Sequence, residues 1–177
     1  MAHVKVVRRS MRPEEWTDLR FVWLQRGIYE EKFEITDLEI RDARQISEDQ
    51  YEYYSDEYRP LKKDDMYFTP DGTAFIRGHV QIPAHMKGKN IYFTLHTAAE
   101  MIVKINGKYV GGVDPNRERI LLNPYIDSDD LTIEIEAYNR SKPDDERNPA
   151  SLAHRGCRQI FEGAYLSTIR DNVVSCL

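Results

Sequence analysis

Residues 74–122 read AFIRGHVQIPAHMKGKNIYFTLHTAAEMIVKINGKYVGGVDPNRERILL, and the fold follows from this stretch. Ala74, Ile76, Gly78, Val80 and Ile82 alternate with Phe75, Arg77, His79 and Gln81; Ile91, Phe93 and Leu95 repeat the alternation. Side chains that change side at every residue belong to strands with one buried face. Residues 101–105 lead into Asn106-Gly107 and out through 108–110. An Asn-Gly pair between two such runs is the strongest short hairpin signal, because both residues tolerate positive φ. Further on, Leu131, Ile133, Ile135 and Ala137 alternate with Thr132, Glu134 and Glu136. Pro83, residues 87–90, Gly111-Gly112 and Asn123-Pro124 supply the breaks between strands. Short strands of period two separated by such turns predict a mainly β chain, an antiparallel β-sandwich or jelly roll.

The flanks read differently. Residues 11–26 have helical spacing: Ser10 can cap, Pro13 sits in the first turn, and Glu14 and Glu15 suit the positive end of the helix dipole. Trp16, Leu19, Trp23 and Leu24 form one face, read as packing surface, and Gly27 can end the helix. Phe33, Ile35, Leu38 and Ile40 then suggest an extended segment, followed by a polar stretch over 42–57. That stretch carries Tyr51, Tyr53 and Tyr54 among acids, with Tyr58 just beyond, and reads either as a solvated loop or as an edge strand with aromatic pairs. At the other end Thr168, with Asp171 three residues on, has the form of a capping box, and Ile169, Val173, Cys176 and Leu177 share a helical face. The predicted organisation is a helical lead-in over 1–30, a β-sandwich over 31–167, and over 168–177 the start of a helix, which either docks back on the sandwich or, as favoured here, continues beyond it.

Composition narrows the function. A chain of 177 residues fits one domain and buries enough surface to fold without disulfides or structural metal. Its net charge of -5 argues against nonspecific nucleic-acid binding, which needs a basic field to displace counterions. Cys157 and Cys176 lack the spacing of a zinc site or a disulfide framework. No apolar run reaches the roughly 20 residues of a membrane span, and the first ten residues lack a signal-peptide core, so no membrane partner and a cytoplasmic location are expected.

Few residues suggest chemistry. His3, His79, His85, His96 and His154 show no metal-ligand spacing. Asp127-Ser128-Asp129-Asp130 is acidic enough to suggest calcium but lacks the glycine and distal glutamate of a helix-loop-helix site, and reads more simply as a loop opening the Leu131 strand. No nucleophile elbow or phosphate-binding glycine loop occurs. Expected catalytic residues are therefore none, and expected metal ligands none. Tyrosines beside carboxylates do suit a sugar, since the ring offers an apolar face and the hydroxyl a polar tip. Tyr51, Tyr53, Tyr54, Asp114, Asn116 and Arg117 are the candidate carbohydrate-binding residues.

Several of these motifs together resemble the β-sandwich domain that precedes the catalytic barrel in glycoside hydrolase family 38 α-mannosidases. The resemblance rests on Phe75-Ile76-Arg77, Ile82-Pro83, Gly88-Lys89, Glu100, Asn106-Gly107, and Gly112-Val113-Asp114 followed by Asn116. The flanking Arg59-Pro60-Leu61, Pro70-Asp71-Gly72 and Asn148-Pro149 agree; Ile76 and Met86 depart, standing where aromatics are common in that family. It implies a galactose-binding-domain-like sandwich, non-catalytic itself, in an enzyme that hydrolyses terminal α-mannosidic bonds. It further implies that the partner is the catalytic barrel of the same polypeptide, holding zinc, with no cofactor in this segment. Two other readings stand beside it: a carbohydrate-binding module, and the sugar-binding domain of a β-galactosidase-like glycosidase, where the Asn-Gly-x-x-x-Gly hairpin also occurs. A homo-oligomer of the full-length enzyme is a further expectation.

Overall fold

The structure is a computed structural model, described here for residues 27–65, 72–95, 99–114, 117–138 and 161–170. The helix expected over 11–26 lies outside these residues, as do His3, His96, His154, Asn116 and both cysteines. Contacts divide the chain into two units, Glu31–Thr168 and the terminal segments beyond it; the account below concerns the first.

Eleven strands are described. They are β1 (Tyr29–Glu34), β2 (Leu38–Ser47), β3 (Gln50–Tyr53), β4 (Arg59–Pro60), β5 (Thr73–Gln81), β6 (Tyr92–Leu95), β7 (Glu100–Ile105), β8 (Lys108–Val113), β9 (Arg119–Leu121), β10 (Asp130–Tyr138) and β11 (Ala164–Ile169). One sheet has the order β1-β11-β6-β9; the other runs β3-β2-β5-β10-β7-β8, with β4 beside β2. The antiparallel sandwich expected from the alternation is thus what forms, and the polar stretch over 42–57 resolves into the end of β2 and the edge strand β3.

The spine of the larger sheet is the pairing of β5 with β10, nine residues in unbroken register from Asp130↔Gln81 to Tyr138↔Thr73. Every apolar residue of the alternation points inward: Ala74, Ile76 and Val80 on β5; Leu131, Ile133, Ile135 and Ala137 on β10; Met101, Val103 and Ile105 on β7. They meet Phe93, Leu95, Ala164 and Leu166 of the smaller sheet in one continuous core. Gly78 stands at an inward position for a steric reason. A Cβ there would lie 2.4 Å from Leu38 Cδ2 and 2.5 Å from the Asp37 carbonyl oxygen.

The β7–β8 hairpin turns through Asn106 (φ 50°) and Gly107 (φ 73°), the two positive φ values that an Asn-Gly turn supplies at low cost. The Asn106 side chain also stitches the turn to β10. Its Oδ1 accepts from the Thr132 amide at 2.8 Å and its Nδ2 donates to the Asp130 carbonyl at 3.4 Å.

At the C-terminal end the expected helix does not begin at Thr168, while residues 171–177, with the Asp171 of the expected capping box, lie outside those described. Thr168 and Ile169 are the last residues of β11, so a helix beginning at Thr168 is excluded. Thr168 is buried, and its hydroxyl donates to Glu31 Oε2 at 3.4 Å, the carboxylate that Lys89 grips at 2.9 Å. The Lys89 contact holds the Glu31 carboxyl below its ordinary range. Strand pairing and burial of the apolar positions outweighed a local Thr-x-x-Asp signal.

β3 brings aromatic rings over the larger sheet. The Tyr51 ring meets Phe75 edge-on at 4.9 Å and Tyr53 lies at 5.6 Å from it. The Tyr51 hydroxyl donates to Glu136 Oε1 at 2.5 Å, and this bond, with burial and the carboxylate charge, pushes the phenol up to about 12.

Three outcomes follow. Gly78→Ala should lower stability by about 1–3 kcal/mol in urea titrations, because the added methyl must displace β2 backbone. Asn106→Gly, which keeps the turn geometry, should cost about 1 kcal/mol, and Asn106→Ala about 1 kcal/mol more for a left-handed alanine. Absorbance titration of the phenols should show one late tyrosine that disappears in Tyr51→Phe. Because the folded state holds that proton more tightly, its stabilisation is complete below the ordinary phenol value near 10 and fades as pH rises through about 12.

Candidate functional site

The residues between the inward positions of β2, β5, β10, β7 and β8 face away from the core. Strand register sets them in cross-strand rows. One row is Glu39, Arg77, Glu134, Lys104 and Tyr109; the next is Arg41, Phe75, Glu136, Ile102 and Gly112. Arg77 reaches Glu39 at 2.7 Å and lies 4.0 Å from the Tyr58 ring centre. The Arg41 guanidinium lies 3.6 Å from the centre of Tyr53 and 4.8 Å from that of Tyr58, and Lys104 lies 4.5 Å from Tyr109. Cation–π contacts of this kind fix the rings as the walls of a shallow depression of about 280 Å³ between Tyr58 and Tyr109, floored by Phe75 and Ile102.

A second concavity lies at one end of the sandwich. It measures about 520 Å³ and is lined by Phe33, Glu34, Asp37, His79, Pro83 and Lys87, among others. Phe33 is 40% exposed at its rim. The carboxylates of Glu34 and Asp37 make no side-chain hydrogen bond or ion pair among the described residues, whereas His79 is bonded to Asp130 and Lys87 to Asp129. An exposed ring beside carboxylate acceptors offers stacking and hydrogen-bonding groups of the kind that suit a polyhydroxylated ring.

The structure separates the carbohydrate-binding residues expected from sequence. Tyr51 and Tyr53 are on β3, their rings committed to Phe75 and Arg41, and Tyr54 projects at 53% exposure just beyond. Asp114 and Arg117 close on each other after β8: the Arg117 Nε lies 3.3 Å from Asp114 Oδ2, and the backbones form an isolated bridge. β3 and β8 are opposite edges of a six-strand path, five spacings or about 24 Å apart. One ligand ring therefore cannot contact both groups.

Phe33 was legible only as a strand residue. β1 is an edge strand that ends at Glu34, and the ring is left at the rim. Its neighbours in the groove come from strand ends distant in sequence, which no local motif could assemble. The acidic run is a loop over 127–129 that opens β10 at Asp130, as the simpler reading held. Asp127 meets Lys108 at 3.1 Å, while Asp129 and Asp130 take Lys87 and His79. No group of three potential metal ligands occurs among the described residues.

Comparison with known proteins finds no matching family model and no matching curated protein. Among solved structures, a calcium-binding mutant of Bacteroides uniformis beta-glucuronidase 2 is 19% identical over 77% of this chain and 18% of its own, with a TM-score of 0.46. The beta-D-glucuronidase of Dictyoglomus thermophilum is 17% identical over 78% of this chain and 28% of its own, with a TM-score of 0.43. The chain thus spans less than a third of either protein. The expected membership of the family 38 α-mannosidases is not upheld: no family model matches the chain, and the solved structures found are β-glucuronidases. The reason lies in the motifs. Pro83 opens the short turn after β5, Gly88 has φ 79°, and Asn106-Gly107 makes the hairpin turn, so the shared residues record sandwich backbone geometry rather than a substrate.

Proposed function

We propose that this chain is a non-catalytic sugar-binding and structural β-sandwich of a β-galactosidase-like glycoside hydrolase. The observation that carries the sugar-binding part is the end groove, where Phe33 stands exposed beside the carboxylates of Glu34 and Asp37, which have no side-chain partner among the described residues. A pyranose stacks its C–H face on such a ring while acidic oxygens accept its hydroxyl hydrogens. At about 520 Å³ the groove falls within the usual range of small-molecule sites, roughly 300–1,000 Å³, and the 280 Å³ depression on the sheet falls just below it. The hairpin from Asn106-Gly107 to Gly111, a motif shared with β-galactosidase-like sugar-binding domains, supports the choice of enzyme class.

Binding by an open groove of this kind should be weak. Titration with methyl galactoside and with glucose oligosaccharides should shift amide resonances of residues 33–37 and 79–84, with a Kd of about 1 mM. Phe33→Ala should abolish the shifts and Tyr54→Ala should leave them. Absence of shifts at millimolar sugar would reduce the function to the structural role.

A further inference from the structure

We propose that the outer face of the larger sheet is an interface for a second copy of this chain, docked about a twofold axis that runs parallel to the strands between β5 and β10. The argument starts from the order of charges. Across β2, β5, β10 and β7 the row reads Glu39, Arg77, Glu134, Lys104, negative and positive in turn. Reversed, this series has the opposite sign at every place. A twofold axis lying along the strands reverses the row and turns it face down, so Arg77 meets Glu134 of the second copy and Glu39 meets Lys104, each twice.

The axis also coincides with the middle of the sheet. Three strands of the path lie on either side of the β5–β10 boundary, so the two faces overlap along their full width. Tyr53, raised on β3, then faces β8, where Gly112 offers no side chain at the outward place in the adjoining row. Apolar surface sits in the same area: Ile102 is 50% and Tyr109 68% exposed. Six strands at about 4.8 Å spacing and a nine-residue strand at about 3.3 Å per residue give a face of roughly 24 by 30 Å, about 700 Å². A standard specific interface needs about 800 Å² per partner.

Pairing within the sheet accounts for only part of the row. Arg77 is held by Glu39 and Tyr58, and Lys104 lies over Tyr109. Glu134, between them, forms no ion pair among the described residues, and a cation from across the interface would give it one.

The decisive experiment is mixing. Sedimentation should show a concentration-dependent dimer that weakens with added salt. Glu134→Lys and Arg77→Glu should each weaken self-association at least about tenfold, since each sets like charges face to face twice. An equimolar mixture of the two variants should dimerise again, because in the heterodimer every Arg/Lys faces a Glu. A structural role of either residue within its own chain would not be repaired by mixing. A wild-type chain that stays monomeric at the highest attainable concentration overturns the proposal and leaves the face to another partner. A dimer indifferent to Glu134→Lys overturns it as well. Should either variant fail to fold, amide shifts of the wild type on dilution must map to residues 75–77, 102–104 and 134–136, and shifts elsewhere overturn it.

Discussion

The nine-pair register between β5 and β10 is the constraint on which the remaining structure depends. A strand has a side-chain period of two, so a one-residue slip of β5 would carry Ile76 and Val80 to the solvent and Arg77 to the core, and a slip of β10 would carry out Leu131, Ile133 and Ile135 and bring in Glu134 and Glu136. Each charge so buried without a partner would cost several kcal/mol. The register is therefore fixed by what each alternative would bury. Gly78 locks it from the other side, since β2 can approach β5 at Leu38 only where no Cβ intervenes.

That constraint explains how much could be read without coordinates. The alternation in β5, β7 and β10 and the Asn106-Gly107 turn are local signals, and they specify strands, faces and one hairpin. The pairing of β10 with both β5 and β7, its partners on β5 lying from Asp130↔Gln81 to Tyr138↔Thr73, is not local and is not encoded in any short window. The same difference separates the candidate sites. Tyr51, Tyr53 and Tyr54 were visible as a tyrosine cluster beside acids, yet two of the three rings serve to cover Phe75 and Arg41. Phe33, Glu34, Asp37, His79 and Lys87 come together only because β1, β2 and β5 end at the same place. Thr168 shows the converse error, a helix-start motif overridden by a strand with buried neighbours.

Aromatic and charged side chains on the sheet face are held by one another. Arg41 has a buried Nε without a hydrogen-bond acceptor among the described residues, and its guanidinium is accommodated instead between Tyr53 and Tyr58. Stacking on two rings suits a planar, weakly hydrated cation better than it would suit an ammonium group. The face is thereby stiff: its tyrosines are clamped before any ligand or partner arrives, which lowers the ordering cost of association.

Pro60 gives the larger sheet a further property. It sits in β4, on the outer side of β2, where it has no amide hydrogen to offer an incoming strand. Next along the same border, β3 is four residues long and follows an irregularity between Gln45 and Ser47 that bends the ribbon. A short, kinked border missing a donor is a poor template for lateral growth, so this side of the sandwich resists the runaway strand-by-strand stacking to which open sheets are prone.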